Sequence, residues 1–288
     1  MCNEMICPTE NDLTRSVVFD DSPFLFHYTK YSSALGILLS RQMRMSPLAK
    51  MNDPLEFEDH HKDGFVFQGD PSKEAFFAMA RNFYNAVEEK KNAVRLACFS
   101  MDLPKDDRGN VYNNLSKGWA HSRMWAQYAD GNEGVCLIFD KSNLVSVFEN
   151  SFKSTSCKTY CREITYTNNL YPIQEMLNKP CESFLTQDKI DFLFKKCVDY
   201  RDEREFRLLL VNKNLKNSAE SVSFSIETSL CGVIMGAKFP EENRESLEKA
   251  IEYCNPKIKR LYISWHYGMP DVTDPKHWEK MMDSVSEI

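Results

Sequence analysis

The chain has few glycines, ten in 288 residues, and none falls in a G-x-x-x-x-G-K-[ST] or G-x-G-x-x-G phosphate cradle. It has no H-E-x-x-H and no G-x-S-x-G. These absences weaken P-loop, dinucleotide-fold, zincin and serine-hydrolase readings in turn. The ten cysteines include no C-x-x-C pair, and Cys157 and Cys161 have no second pair to complete a metal site. His60 and His61 stand as a lone pair in a charged stretch, so no metal is expected. No apolar run approaches the roughly 20 residues that span a bilayer. The first residues lack a basic and then apolar leader, so no membrane partner and no export signal are expected. No large excess of either charge is present. The net charge is −6, and the basic runs at Lys90-Lys91 and at 257–260 are short, which fits solvated ends better than a nucleic-acid footprint.

What the chain does contain is aromatic surface: nineteen Phe, twelve Tyr and four Trp. Hydrophobic residues make up 42% and charged residues 27%, an ordinary globular balance, and the length is near the upper limit for one hydrophobic core. Cys98, Cys136 and Cys231 sit in apolar runs and read as buried thiols, which points to a reducing cytoplasm.

Residues 1–22 are polar and acid-rich and read as a loosely ordered arm before a single domain over 23–288. Periodicity predicts strands over 23–29, 44–46, 94–100, 135–139, 163–167, 203–211, 222–226, 232–235 and 258–265. It predicts helices over 32–43, capped by Ser32, and over 72–90, 122–129 and 241–253. A helical region interrupted at Pro180 is expected over 172–200, and Asn52-Asp53-Pro54 marks a turn. Strands and helices intermix without regular alternation, which favours a mixed α+β domain over a doubly wound sheet.

The segment Arg201-Asp-Glu-Arg-Glu-Phe-Arg-Leu-Leu-Leu carries the densest chemistry. Alternation along a strand puts Glu203, Glu205 and Arg207 on one face, and Arg204, Phe206, Leu208 and Leu210 on the other. Arg207 lowers the cost of holding two acids together. The same pattern also fits an exposed edge strand with a surface ion network. His27, in Phe26-His-Tyr-Thr, fits either a site residue or a satisfied core histidine. Trp125 and Tyr128, three apart on a short helix, fit either a ring clamp or a core pair.

Five short motifs occur in order: His27-Tyr28-Thr29, Asn52-Asp-Pro-Leu-Glu, Met124-Trp-Ala-Gln-Tyr-Ala leading into Gly134-Val-Cys-Leu-Ile-Phe-Asp, Tyr200-Arg-Asp-Glu-Arg-Glu-Phe-Arg, and Leu230-Cys-Gly-Val-Ile-Met-Gly. In this order, over about residues 24–240, they resemble the bacterial domain-of-unknown-function 2971 family. That family is similar to a distant branch of the ADP-ribosyltransferase superfamily. The resemblance implies a split, two-sheet α+β core with flanking helices and NAD as substrate. It places His27, with Tyr28 and Thr29, at the NAD ribose, and Trp125 or Tyr128 at the nicotinamide. Glu205 becomes the catalytic acid, with Glu203 as the upstream acid and Arg207 beside them. Ser100 or Ser154-Thr155-Ser156 would supply the middle motif. The implied reaction cleaves the nicotinamide–ribose bond through an oxocarbenium-like state and passes ADP-ribose to protein, nucleic acid or water, as a toxin, defence effector or housekeeping enzyme would. The alternative is a non-catalytic nucleotide-sensing or protein-interaction domain of the same fold.

Overall fold

The computed structural model describes residues 24–51, 81, 92–103, 114–153, 156–168, 190–212, 214–215 and 222–273. The expected arm over 1–22, the helix over 72–90 apart from Arg81, the turn at Asn52, His60-His61, Lys90-Lys91 and Ser154-Thr155 lie outside them.

The described strands are β1 (Phe24–Thr29), β2 (Gln42–Pro47), β3 (Val94–Ser100), β4 (Val135–Asp140), β5 (Cys157–Glu163), β6 (Thr165–Tyr166), β7 (Lys195–Lys196), β8 (Glu205–Asn212), β9 (Val222–Ser225), β10 (Leu230–Met235), β11 (Lys259–His266) and β12 (Met269–Thr273). The described helices are α1 (Tyr31–Ser40), α2 (Ser122–Gln127), α3 (Lys141–Ser151) and α4 (Glu241–Cys254). Ten strands form one sheet in the order β12-β11-β10-β4-β1-β3-β2-β9, with β8 on β3 and β5 on β8. β6 and β7 form a separate parallel pair. The architecture is mixed α+β, with one large open sheet and one small one.

The sheet branches at β3. One edge of β3 pairs with β8 over its full length, from Val94 to Ser100. Its other edge is shared: β1 meets it at Phe26–Ser100, and β2 meets it at Ser46–Leu96 and Pro47–Arg95. Between those contacts β1 and β2 part, and Cys98 lies in the gap.

Alternation explains how the two faces are covered. Leu25, Met43, Met45, Phe99, Leu137, Phe139, Phe206, Leu208 and Leu210 point to one face, where Ala34, Ile37 and Leu38 of α1, Leu144 and Phe148 of α3 and Leu247, Ala250 and Ile251 of α4 close over them. Burying each such large side chain contributes about 1.5–3 kcal/mol. The opposite face carries two separate clusters. Trp119, Trp125 and Ala129 cover Phe24, Phe26, Tyr28 and Ile138, while Ile190, Leu193 and Phe194 cover Val94, Leu96 and Leu209.

Several boundaries differ from the sequence expectation. The first helix runs from Tyr31 to Ser40, not to 43, because Arg41 takes a left-handed conformation (φ 54°) and Met43 then alternates inward from β2. Its N-cap is Lys30 rather than Ser32, with no side-chain cap. The expected α-helical region over 172–200 is instead, in its described part from 190, two 3-10 helices, Asp191–Phe194 and Val198–Glu203, around the short β7. The polar stretch before residue 163 forms β5, and a further hairpin strand, β12, follows β11 across Tyr267 and Gly268, both at positive φ. The strand expected over 203–211 starts at Glu205, after a left-handed Arg204 (φ 46°).

Candidate active site

Where β1 and β2 part from β3, between the two clusters of the covered face, lies a cavity of about 250 Å³. Its wall includes His27 and Tyr28 of β1, Arg44 and Ser46 of β2, and Cys98 and Ser100 of β3. Lys50, Tyr128, Lys196, Glu203 and Glu205 complete its polar lining.

Glu203 and Glu205 reach it by different routes. Glu203 ends a 3-10 helix, Arg204 reverses the local backbone twist, and Glu205 opens β8. Strand alternation therefore does not account for Glu203, which reaches the cavity from the 3-10 helix and not from β8. The main chain is pinned at this turn. The Glu205 N–H donates to the Tyr166 hydroxyl (2.9 Å), the Ile164 N–H donates to the Glu205 carbonyl (2.9 Å), and the Met101 N–H donates to the Arg204 carbonyl (3.0 Å). Both acids are buried, and β8 is interior between β3 and β5, which removes the edge-strand reading.

The two carboxylates share one cation. The Lys196 ammonium lies 2.7 Å from Glu203 Oε2 and 3.0 Å from Glu205 Oε2. Arg207, fully buried, grips Glu205 through Nε (2.5 Å) and Nη2 (3.1 Å), and its Nη1 donates to the Leu193 carbonyl (2.7 Å). The Tyr128 hydroxyl donates to Glu203 Oε1 (2.6 Å). Two acids and two bases thus neutralise one another, which is what allows the group to be buried. Burial alone would raise the Glu205 pKa. The charges of Arg207 and Lys196, with hydrogen bonds from Arg207 and the Cys98 thiol, outweigh it and hold the carboxyl well below the usual carboxylate range.

His27 Nδ1 lies 2.9 Å from the Cys98 carbonyl oxygen, and its ring tilts against Phe99. Burial lowers its pKa, only partly opposed by that hydrogen bond. Ser100 is 1% exposed, lines the cavity, and its hydroxyl has no hydrogen-bond partner among the described residues.

The remaining sequence candidates fall elsewhere. Trp125 is fully buried, donates from Nε1 to the Trp119 carbonyl (2.7 Å) and meets Tyr28 edge-on at 5.2 Å, so it supports the cavity wall without lining it. The Tyr28 ring is in the wall, but its hydroxyl is engaged with the Gly118 carbonyl (2.7 Å) and the His121 N–H (3.3 Å). Thr29 is buried in register with Val135 and does not line the cavity. Arg207 stands behind Glu205 rather than in the wall. Sequence reasoning missed Lys196, Cys98, Arg44 and Lys50. The one sign of Lys196 was its place in a lysine pair that follows an apolar run, Phe192-Leu-Phe-Lys-Lys. Among the described residues no group of three or more His, Cys, Asp or Glu is placed to hold a metal ion, and no helix is long and apolar enough to cross a membrane.

A family described as "Protein of unknown function (DUF2971)" matches residues 124–208. The chain is similar to that family over the segment carrying Tyr128, Lys196, both acids and Arg207. No curated protein and no solved structure matches the chain.

Proposed function

We propose that the chain is an NAD-consuming, ADP-ribosyltransferase-like enzyme. It breaks the nicotinamide–ribose bond and passes ADP-ribose to a protein, a nucleic acid or water. The observation that carries this reading is the meeting of His27, Tyr128, Glu203 and Glu205 in one cavity at the branch of the sheet. These side chains come from segments up to 178 positions apart, so local sequence does not bring them together. The branch at β3 supports the split core that the resemblance implies.

The chemistry suits the lining. As the C1′–N bond breaks, its electron pair leaves with nicotinamide and positive charge grows on the ribose ring. A buried carboxylate bonded to a ribose hydroxyl stabilises that charge more in the transition state than in the ground state. The acceptor's nucleophile then bonds to C1′ and gives its proton to a base; the second carboxylate suits that role. Ligand pockets usually run to roughly 300–1,000 Å³. A cavity of about 250 Å³ accordingly suits the nicotinamide-ribose end rather than a whole dinucleotide. Nicotinamide release from NAD, followed by chromatography, tests the reading: the protein releases it, and the Glu203→Gln/Glu205→Gln double variant does not.

A second reading, a nucleotide-sensing domain without turnover, draws on the heavy engagement of Glu205 by Arg207, Lys196 and Cys98. Calorimetry that shows NAD binding, with no product by mass spectrometry, would select it.

A further inference from the structure

We infer that Glu203, not Glu205, is the carboxylate that receives a ligand hydroxyl, and that Glu205 is a positioning residue locked by Lys196 and Arg207. The inference rests on the proposed reading in one respect, that the ligand carries a ribose. Its physical basis is a count of acceptor sites. An ionised carboxylate offers about four lone-pair positions. Glu205 meets Arg207 Nε, Arg207 Nη2 and the Lys196 ammonium, three donors that occupy most of them. Glu203 meets only the Tyr128 hydroxyl and the Lys196 ammonium among the described residues. Roughly two acceptor positions of Glu203 therefore remain, in a side chain that lines the cavity.

A second, independent observation points the same way. Ser100 Oγ is buried in the cavity wall with no partner among the described residues. A buried hydroxyl left without a partner is costly, so its satisfaction by a bound group is favourable. An acceptor pair on Glu203 together with a hydroxyl on Ser100 suits the vicinal diol of a ribose.

The acids also differ in what their loss exposes. Without the Glu203 charge, Lys196 still has Glu205 at 3.0 Å and Arg207 keeps its partner. Without the Glu205 charge, the fully buried Arg207 loses the carboxylate it grips. Loss of the first acid therefore costs little stability, and loss of the second costs more.

Two measurements on the full chain test this. In calorimetry, the wild type binds NAD more tightly than NAD lacking the 2′-hydroxyl on the nicotinamide ribose, by on the order of tenfold, since a hydrogen bond to a charged group is lost. Glu203→Gln brings the ratio close to one, whereas Glu205→Gln retains it. The Glu205→Gln/Arg207→Met variant, which removes the buried guanidinium with its carboxylate, replaces Glu205→Gln where the single variant does not fold. A ratio kept in Glu203→Gln and lost in either Glu205 variant overturns the inference. Absence of NAD binding by the wild type defeats the proposed function instead. Thermal unfolding then decides the inference: Glu203→Gln keeps the wild-type Tm within a few degrees, and Glu205→Gln lowers it by on the order of 5–10 °C. Equal losses overturn it.

Discussion

His27 on β1 donates through Nδ1 to the main-chain oxygen of Cys98 on β3 at 2.9 Å, across strands whose own ladder meets only at Phe26 and Ser100. A side chain thus supplies a bond where the branching sheet has none. Because burial lowers the imidazole pKa, the ring is neutral near pH 7, and donation from Nδ1 leaves Nε2 as an acceptor beside the cavity. His27→Phe should lose about 1 kcal/mol of stability with the hydrogen bond to the Cys98 carbonyl. Chemical denaturation reads this directly, and an unchanged midpoint would show that the bond contributes nothing.

Acid should destabilise the protein in two steps. His27 and His121 both titrate below their ordinary value of 6.5 in the folded state, each mainly through burial. Below about pH 6.5 the unfolded chain therefore takes up protons that the folded chain refuses, and stability falls with pH until the folded values are reached. Glu205 is depressed from its ordinary 4.5, so its contribution is full above that value and is lost as pH falls beneath it. The charged groups that line the cavity with His27 are Arg44, Lys50, Lys196, Glu203 and Glu205; those acting on His121 are Asp102, Asp202 and Arg204. A Tm scan from pH 8 to 4 should show the upper step in the wild type and a flatter profile in the His27→Gln/His121→Gln variant. A Tm that rises on going from pH 7.5 to 5.5 would contradict the assignment.

Lys196→Met should be among the most damaging single changes outside the apolar core. It removes the ammonium shared by Glu203 and Glu205 and leaves Glu203 buried with only the Tyr128 hydroxyl. Breaking a buried pair in this way costs about 3–5 kcal/mol. Urea unfolding should show that loss and its partial recovery in Lys196→Arg; a loss under about 1 kcal/mol would mean the three groups do not form one unit.

Trp125 and Tyr128 separate a packing role from a site role. Trp125→Ala should cost about 3–5 kcal/mol, since the indole is wholly buried, yet nicotinamide release per folded molecule should persist. Tyr128→Phe should cost little stability but lower nicotinamide release about tenfold, because Glu203 loses one of its two donors. The opposite pattern would put the indole in the site.

The apolar run at 135–139 was enough to place β4, which is buried along its whole length, and alternation was enough to read the apolar face of β8, which holds a regular strand through Glu205–Asn212. It was not enough at Glu203, where one left-handed residue, Arg204, breaks the period. The spacing of Trp125 and Tyr128 suggested one helix face. The helix stops at Gln127, Tyr128 is its cap, and the two rings go to different places, one into the core and the other to the cavity. Lys196 escaped notice because its burial depends on two acids brought to it by the 3-10 helix Val198–Glu203, and no short-range pattern encodes that pairing. The half-exposed β5 and the hairpin strand β12 lack the apolar runs that marked the buried strands.

The most direct test of the central claim is nicotinamide release from NAD by the full chain, measured beside the Glu203→Gln/Glu205→Gln variant, with near-UV circular dichroism to report folding. The expected result is time-dependent release by the wild type and a fall of on the order of 10²-fold or more in a folded variant. Release that is equal in both proteins, or absent from the wild type, would contradict the account.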